Sequence, residues 1–455
     1  MNSNLPHDSL AFALLGAARA CRAVRSGAAL REALLSELAG LTTAPAAAGR
    51  SDPAGAIRDL AYRTLRRRGR SDALLAELAG RVPEPPLLRE LLVVAIALLV
   101  DALGKPSDSN DAPVTLPYAP FTVVDQAVRA AAAEPELARA KGLVNAVLRN
   151  FLRRSDSDRD ALLQLIARDP EARHDHPAWW VARVKRDYPQ HWEALLRADD
   201  TPPPLTLRVN RRKTTRDAYL ARLASEGVEA RAIGPAAVRL ARPRAVAAIP
   251  GFADGIVSVQ DEAAQRAAPL LDARDGMRVL DACAAPGGKT GHLLELAQLD
   301  LVALDSDAMR LVRVRDNLAR LGLAAQLVVG DAAHPAGWWD GVGFDRILAD
   351  VPCTASGVVR RHPDIRWLRR EADIARLSRT AQHITDALWS LLNPDGKLLL
   401  VTCSLFPDES ARHAGAFAAR HPDATVLPAP GQLLPAIGPD EDHDGLFFAL
   451  FEKTR

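Results

Sequence analysis

From residue 278 onward, short apolar runs alternate with stretches of helical length, and few folds accept that alternation. The runs lie at 278–281, 299–305, 326–330, 344–350 and 397–403. Parallel neighbours in a sheet need a long crossover, usually a helix, and the intervening segments supply one each time. Two further runs, 424–427 and 446–452, lack such a crossover, so the last strand is expected to close the sheet antiparallel. The expected fold class is α/β, a doubly wound, Rossmann-like sheet with its ligand crevice at the carboxyl ends of the strands.

The preceding residues have a different texture. Residues 1–155 are rich in Ala, Leu and Arg with helical periodicity and almost no strand signal, which predicts an all-α domain. Helices are expected at 10–26, 28–38, 55–68, 71–78, 86–103, 122–133 and 138–153, with Thr122 and Asp125 resembling a capping-box start. The stretch 104–120 combines Gly, Ser, Asn and Asp with four prolines and reads as a surface loop. Residues 156–250 read as a small α+β connector with a basic edge at Arg211, Arg212 and Lys213; residues 251–455 form the sheet domain. Trp179 and Trp180 fall in a helix before that edge, where core packing is their expected role.

Net charge is only +2, so an anionic partner must be met by local basic patches. The most apolar run, 91–100, is too short to span a bilayer, and the first residues lack a basic leader. A cytoplasmic monomer with no membrane partner is expected. The four cysteines, Cys21, Cys283, Cys353 and Cys403, lack zinc-ligand spacing, which predicts reduced thiols and no metal. His174-Asp175-His176 has no further matched ligands and reads as a polar loop.

At the first strand end the sequence runs Asp281-Ala282-Cys283-Ala284-Ala285-Pro286-Gly287-Gly288-Lys289-Thr290. Small side chains let a ligand approach the backbone, and the following helix start offers unpaired N–H groups. The spacing is neither that of a phosphate-binding P-loop nor that of a dinucleotide fingerprint. Acidic residues end the next strands: Asp305, Asp331 and Asp350. Asp305 lies near the spacing at which a carboxylate bonds ribose hydroxyls, and Asp331 is placed to accept from an adenine amino group. A single adenosine with a short charged tail fits this rim better than a dinucleotide.

Strand four runs into Asp350-Val351-Pro352-Cys353 and strand five into Thr402-Cys403-Ser404. Neighbouring strand ends bring two thiols near one crevice. A thiolate is a strong nucleophile that a protein can activate. Cytosine carbon 5 is too weakly nucleophilic to take a methyl group until a thiolate adds at carbon 6. A second thiol or basic group can then help expel the first sulfur. The absence of an Asp/Asn-Pro-Pro-aromatic motif argues against methylation of an exocyclic amino group.

The segments 281–290, 350–353 and 402–404 resemble motifs I, IV and VI of the RNA 5-methylcytosine methyltransferases, the NOL/NOP/Sun family. The run Gly357-Val358-Val359-Arg360-Arg361-His362-Pro363-Asp364-Ile365-Arg366-Trp367-Leu368 is similar to its bacterial 16S ribosomal RNA branch, and 141–149 resembles the NusB-like helical domain that opens those proteins. The resemblance spans the whole chain and implies a class I methyltransferase domain preceded by an RNA-binding NusB-like domain. It implies S-adenosyl-L-methionine as cofactor, held by Cys283, Ala284, Ala285, Pro286, Gly287, Gly288, Lys289, Asp305, Asp331 and Asp350. Cys403 would be the nucleophile, Cys353 would help release the product, and Asp350 would also touch the cytosine amino edge. The sequence departs from the family at Val351, where Ala is usual, and at Ser410, where Asn often follows. Neither change removes a reactive group.

The implied partner is 16S ribosomal RNA. Arg360, Arg361, His362, Arg366, Arg369 and Arg370, with Trp367, form a basic stretch just after the Cys353 loop, and Arg208 and Asn210 precede the basic edge. Their expected role is to hold phosphates while the base is splayed into the pocket. Arg66–Arg68 read equally as a helix end or an RNA contact. The rival readings are the same chemistry on transfer RNA or another RNA site, a DNA cytosine methyltransferase, and an RNA-binding assembly factor. A DNA enzyme would use the Pro-Cys thiol and not need Cys403, and a pure binder would need neither cysteine.

Overall fold

In the computed structural model, which describes residues 5–39, 41, 52–104, 118–438 and 441–454, the chain folds as two units. One is Met1–Asp200 with His362–Arg369; the other is Thr201–Arg361 with Arg370–Arg455. Residues 105–117 of the predicted loop lie outside the described residues.

Sequence-local rules set most helix ends of the first unit. Ser9 caps Leu10–Arg25 by accepting from the Phe12 N–H, and Asp52 caps Pro53–Arg66, which carries proline in its first turn. Gly80, in the left-handed region, closes Arg68–Ala79. The apolar run at 91–100 is the heart of Pro86–Leu99, buried nearly throughout as expected. The capping box read at Thr122 is not formed. The helix starts earlier, at Pro120, because proline fits the first position, and Thr122 lies inside it. Trp180 is fully buried, as a core residue should be.

Helices also occupy Arg159–Arg168, Pro170–His174, Ala178–Asp187 and Trp192–Asp199. The texture change at residue 155 therefore falls inside the first unit, which continues to Asp200. The ambiguous Arg66–Arg68 segment is inward-facing at its end: Arg68 is buried with its guanidinium on Glu90, and Arg67 donates to Asp101 at 3.0 Å. Asp175 and His176 are wholly buried. They belong to a polar hub that seats Arg366, whose guanidinium donates to the Asp175 carbonyl at 3.0 Å, the Asp199 carbonyl at 2.9 Å and the Asp200 carboxylate at 2.9 Å. Burial, helped by Arg366, pushes the His176 pKa down to about 3, so the imidazole is neutral. Trp367 donates to the Leu65 carbonyl at 2.8 Å in the same unit.

The second unit contains two sheets. The smaller is antiparallel, built from β1 (Leu205–Val209), β2 (Ala230–Ala232), β3 (Ala237–Leu240) and β4 (Val257–Val259) in the order β2-β3-β1-β4, with helix Arg216–Ser225 capped by Thr215. The larger has β5 (Arg278–Ala282), β6 (Asp300–Asp305), β7 (Gln326–Val329), β8 (Phe344–Asp350), β9 (Leu392–Thr402), β10 (Ala424–Leu433) and, after a two-stranded ribbon of β11 (Ala436–Ile437) and β12 (Asp442–His443), β13 (Leu446–Lys453). Its order is β10-β13-β9-β8-β5-β6-β7, with β13 antiparallel to both neighbours and β5 to β9 parallel. This is the doubly wound sheet with a closing strand that the alternation predicted, except that β7 and β8 are joined through the single turn Pro335–Gly337 and not the expected helix, since Pro335, Gly337, Gly341 and Gly343 break up helical runs there. The order reverses between β5 and β8, which places the crevice above those two strands.

The small sheet is tied to the helix after β5 by a buried ion pair. Arg208 on β1 meets Glu295 with two bonds, of 2.8 and 3.0 Å, and donates to the Gly288 carbonyl at 2.7 Å. Removing one partner leaves an uncompensated buried charge. Arg208→Met is therefore expected to cost about 3–5 kcal/mol in urea unfolding, with most of the loss recovered by adding Glu295→Leu. A single-variant cost below about 1 kcal/mol would contradict this reading.

Candidate active site

Strand β5 ends in a turn that only small residues can make. Cys283 sits at φ 62°, and the Ala284 N–H donates to the Leu304 carbonyl of β6 at 2.9 Å. Gly287, at φ 91°, begins helix Gly288–Leu296; a Cβ there would press on Val314 at 3.0 Å. The β5–helix turn is thus packed against the helix that follows β6 and leaves its amides at the sheet end.

Carboxylates organise this turn. Asp305 accepts from the Ala285 N–H at 3.1 Å and from the Asp307 N–H at 3.1 Å. Arg310, which the sequence reading did not single out, bridges Asp305 and the Ala285 carbonyl. Asp281 is buried; one oxygen accepts from Thr290 Oγ1 at 2.6 Å and the other is a buried atom without a hydrogen-bond partner. Burial pushes its pKa up to about 7, against the Thr290 hydrogen bond and the Lys289 charge. Asp331, at the exposed end of β7, accepts from the Ala333 N–H and His334, and these bonds hold its pKa low. An adenosine with a charged amino-acid tail fits what is present: a backbone cradle free of side chains, carboxylates at successive strand ends and one buried acceptor left unsatisfied.

The two cysteines meet. Asp350 on β8 pairs in register with Val401 on β9, so the loops leaving both strands start side by side. Cys353 Sγ and Cys403 Sγ are 3.4 Å apart. Their hydrogen bond is the first cause that holds the Cys353 thiol well above its ordinary range, followed by burial. Either sulfur can donate in this bond. Lys289 donates to Asp350 at 2.6 Å; burial opposes its charge, but Asp350, Asp281 and Cys403 together keep the ammonium pKa raised. The crevice mouth thus holds a paired thiol, a carboxylate and an ammonium within one cluster. Cys21 and Cys283 differ: burial pushes each thiol up to about 12, and both are inert.

The predicted RNA contacts divide. Arg208, Asn210, Arg360 and Arg366 are buried at 0–1% exposure, and this corrects their reading as phosphate ligands. Asn210 donates to the Gly255 carbonyl at 3.1 Å. Arg360 donates to Asp442 at 2.8 Å and Asp444 at 2.7 Å, and neighbouring Arg361 bonds Asp444 and Asp261. The charges brace the loop after Cys353 from within instead of meeting solvent. His362, Arg370 and the edge at Arg211, Arg212 and Lys213 are exposed. Missed altogether was Glu409, fully buried beneath both cysteine loops. Its only trace in the sequence is a carboxylate in the apolar-flanked turn after Cys403.

The raised Asp281 pKa has a measurable sign. Its ordinary value is 3.8 and its folded value about 7, so the protonated carboxyl favours the folded state below the lower value. That contribution is lost as pH rises through the upper one. Denaturation of the ligand-free protein should therefore show stability falling with pH relative to Asp281→Asn across this window, and equal slopes in the two proteins would contradict it.

Comparison with known proteins agrees with this geometry. Residues 268–451 match the family described as 16S rRNA methyltransferase RsmB/F, and residues 176–247 match its ferredoxin-like domain. The chain is 47% identical over 324 residues to ribosomal RNA small subunit methyltransferase B of Klebsiella pneumoniae, covering 69% of this chain and 73% of that protein. The Pseudomonas syringae protein of the same name is 48% identical over 330 residues, with the same shares covered. Among solved structures, PH0851 aligns with 99% of both chains at a TM-score of 0.74 and 24% identity, a likeness of fold. A methyltransferase homolog from Pyrococcus horikoshii aligns with 62% of this chain and 97% of its own at a TM-score of 0.54 and 26% identity. The chain belongs to the RsmB/F family of 16S ribosomal RNA methyltransferases.

Proposed function

We propose that the protein methylates carbon 5 of a cytosine in 16S ribosomal RNA, using Cys403 as a covalent nucleophile and S-adenosyl-L-methionine as donor. The observation that carries the reading is the 3.4 Å approach of two thiols at adjacent strand ends, beside the turn after β5. The relatives' names supply the substrate RNA, and a structural neighbour from Pyrococcus horikoshii, NSun6, was solved with SFG. Residues 283–289, Asp305 and Asp331 would hold the donor, with Asp350 at the border between donor and base. When bound there, S-adenosylmethionine supplies an electrophilic methyl group.

The chain's own groups do the rest. Cys403 gives up its proton to solvent, adds as a thiolate to cytosine carbon 6 and turns carbon 5 into an enamine carbon able to take a methyl group. Asp350 would orient the base by accepting from the cytosine amino edge, and Lys289, bonded to it at 2.6 Å, would hold the carboxylate in place. After methyl transfer, water at the crevice mouth takes the carbon-5 proton, the freed electron pair restores the carbon 5–carbon 6 double bond, and the Cys403 sulfur leaves as a thiolate. The Cys353 thiol, 3.4 Å away in the free protein, then donates to the departing thiolate. Desolvation by the apolar faces of β8 and β9 strengthens each of these interactions. Exposed Arg211, Arg212, Lys213, His362 and Arg370 are candidates to meet RNA phosphates, and each such contact would steepen the salt dependence of binding.

Methyl incorporation from labelled donor into 16S ribosomal RNA tests the assignment. Cys403→Ala should make no product, and Cys353→Ala should accumulate a protein–RNA adduct that survives denaturation. Product at the wild-type rate from Cys403→Ala, or turnover without adduct from Cys353→Ala, would reassign the roles.

A further inference from the structure

Beyond their strands, the two cysteine loops are held together by a buried carboxylate. The last ladder contact between them is the Val351 N–H on the Val401 carbonyl, at 3.2 Å. Cys353 and Cys403 lie past that point, where sheet hydrogen bonding no longer fixes their separation. Glu409, in the single turn Pro407–Glu409, is 1% exposed. One of its oxygens accepts from the Thr354 N–H at 2.9 Å, and the other from Thr354 Oγ1 at 2.5 Å and Ser404 Oγ at 2.6 Å. Thr354 follows Cys353 and Ser404 follows Cys403. The clamp therefore grips the residue next to each sulfur.

Smaller contacts share its direction. Ser356 Oγ lies 3.1 Å from Ser404 Oγ and accepts from the Leu405 N–H at 2.7 Å, and the Gly357 N–H donates to the Cys403 carbonyl at 2.8 Å. A carboxylate, an acceptor without donors, can receive all three at once; a glutamine in its place would present an NH2 group to the two hydroxyls and reverse those bonds. Its negative charge is also among the causes that keep Cys353 a neutral thiol.

We infer that Glu409 is a positioning residue, whose carboxylate joins the Cys353 and Cys403 loops and so sets the sulfur–sulfur spacing on which addition and release depend. The inference rests on the two-cysteine reading proposed above. Geometry held this way acts on the chemical step while leaving the donor crevice at β5 and β6 untouched. Loss of a charge-assisted buried bond corresponds to a rate effect of about 10- to 100-fold when it is felt in the transition state.

The test compares wild type, Glu409→Ala, Glu409→Gln and the double variant Thr354→Val with Ser404→Ala. Measured quantities are kcat, KM for ribosomal RNA, S-adenosylmethionine Kd by calorimetry, and the pH dependence of kcat. Glu409→Ala should lose about 100-fold in kcat and Glu409→Gln about tenfold, with donor Kd within about twofold of wild type. Removing the charge should also move the alkaline limb of the kcat profile to lower pH in Glu409→Gln, a change that plain loosening of the fold does not cause. Should Glu409→Ala not fold, Glu409→Gln and the double variant decide. A wild-type kcat in Glu409→Gln, or a kcat loss matched by an equal loss of donor affinity, would overturn the inference. If Cys403→Ala remained active the two-cysteine reading itself would fall, whatever Glu409 does; normal cysteine behaviour with unaffected Glu409 variants would remove this inference alone.

Discussion

The parallel pairing of β8 with β9 is the constraint on which the rest depends. Because Asp350 stands opposite Val401, two loops of unrelated sequence leave the sheet side by side, and sulfurs fifty residues apart in the chain come within 3.4 Å. A one-residue slip would turn every side chain of one strand to the opposite face and carry its cysteine away. The register is specified by burial on both faces: Ile347, Leu348 and Ala349 on β8 and Leu398 to Val401 on β9 are fully buried. In the proposed reaction, catalytic spacing is thus a consequence of hydrophobic strand pairing.

Charge is handled differently on the two sides of the crevice. On the proposed donor side, Asp281 and Asp305 are committed to the turn after β5, and burial raises Asp281 to about 7. On the proposed base side, Lys289 and Asp350 pair at 2.6 Å. Glu409 lies beneath, receiving donors from both loops. The arrangement gives a pair of sulfurs in hydrogen-bond contact, bounded by carboxylates and an ammonium that are each bonded to partners.

Much of this was legible in the sequence because it depends on short-range signals. Alternating apolar runs gave the sheet and its antiparallel closure, though not the helix-free link from β7 to β8, and the small residues at 283–288 marked the turn after β5. Basic residues were misread for a physical reason: charge in a sequence does not say whether a carboxylate awaits it. Arg360 and Arg366 look like a solvent-facing stretch, yet Asp442, Asp444 and Asp200, all distant in the chain, take them inside. Arg208 was absorbed in the same way by Glu295. The Thr122 capping box failed because proline two residues earlier starts the helix without it. Glu409 left no periodic signal, since its role exists only once two loops have been brought together.

The identity of the attacking sulfur is the central claim, and a substrate that cannot complete elimination tests it most directly. With cytosine replaced by 5-fluorocytosine at the methylated position, no proton remains on carbon 5 after methyl transfer, so the sulfur at carbon 6 cannot be expelled. Peptide mapping by mass spectrometry of the resulting complex should find the methylated nucleotide on the peptide containing Cys403, with Cys353 unmodified. Attachment at Cys353, or full turnover with no covalent complex, would contradict the account.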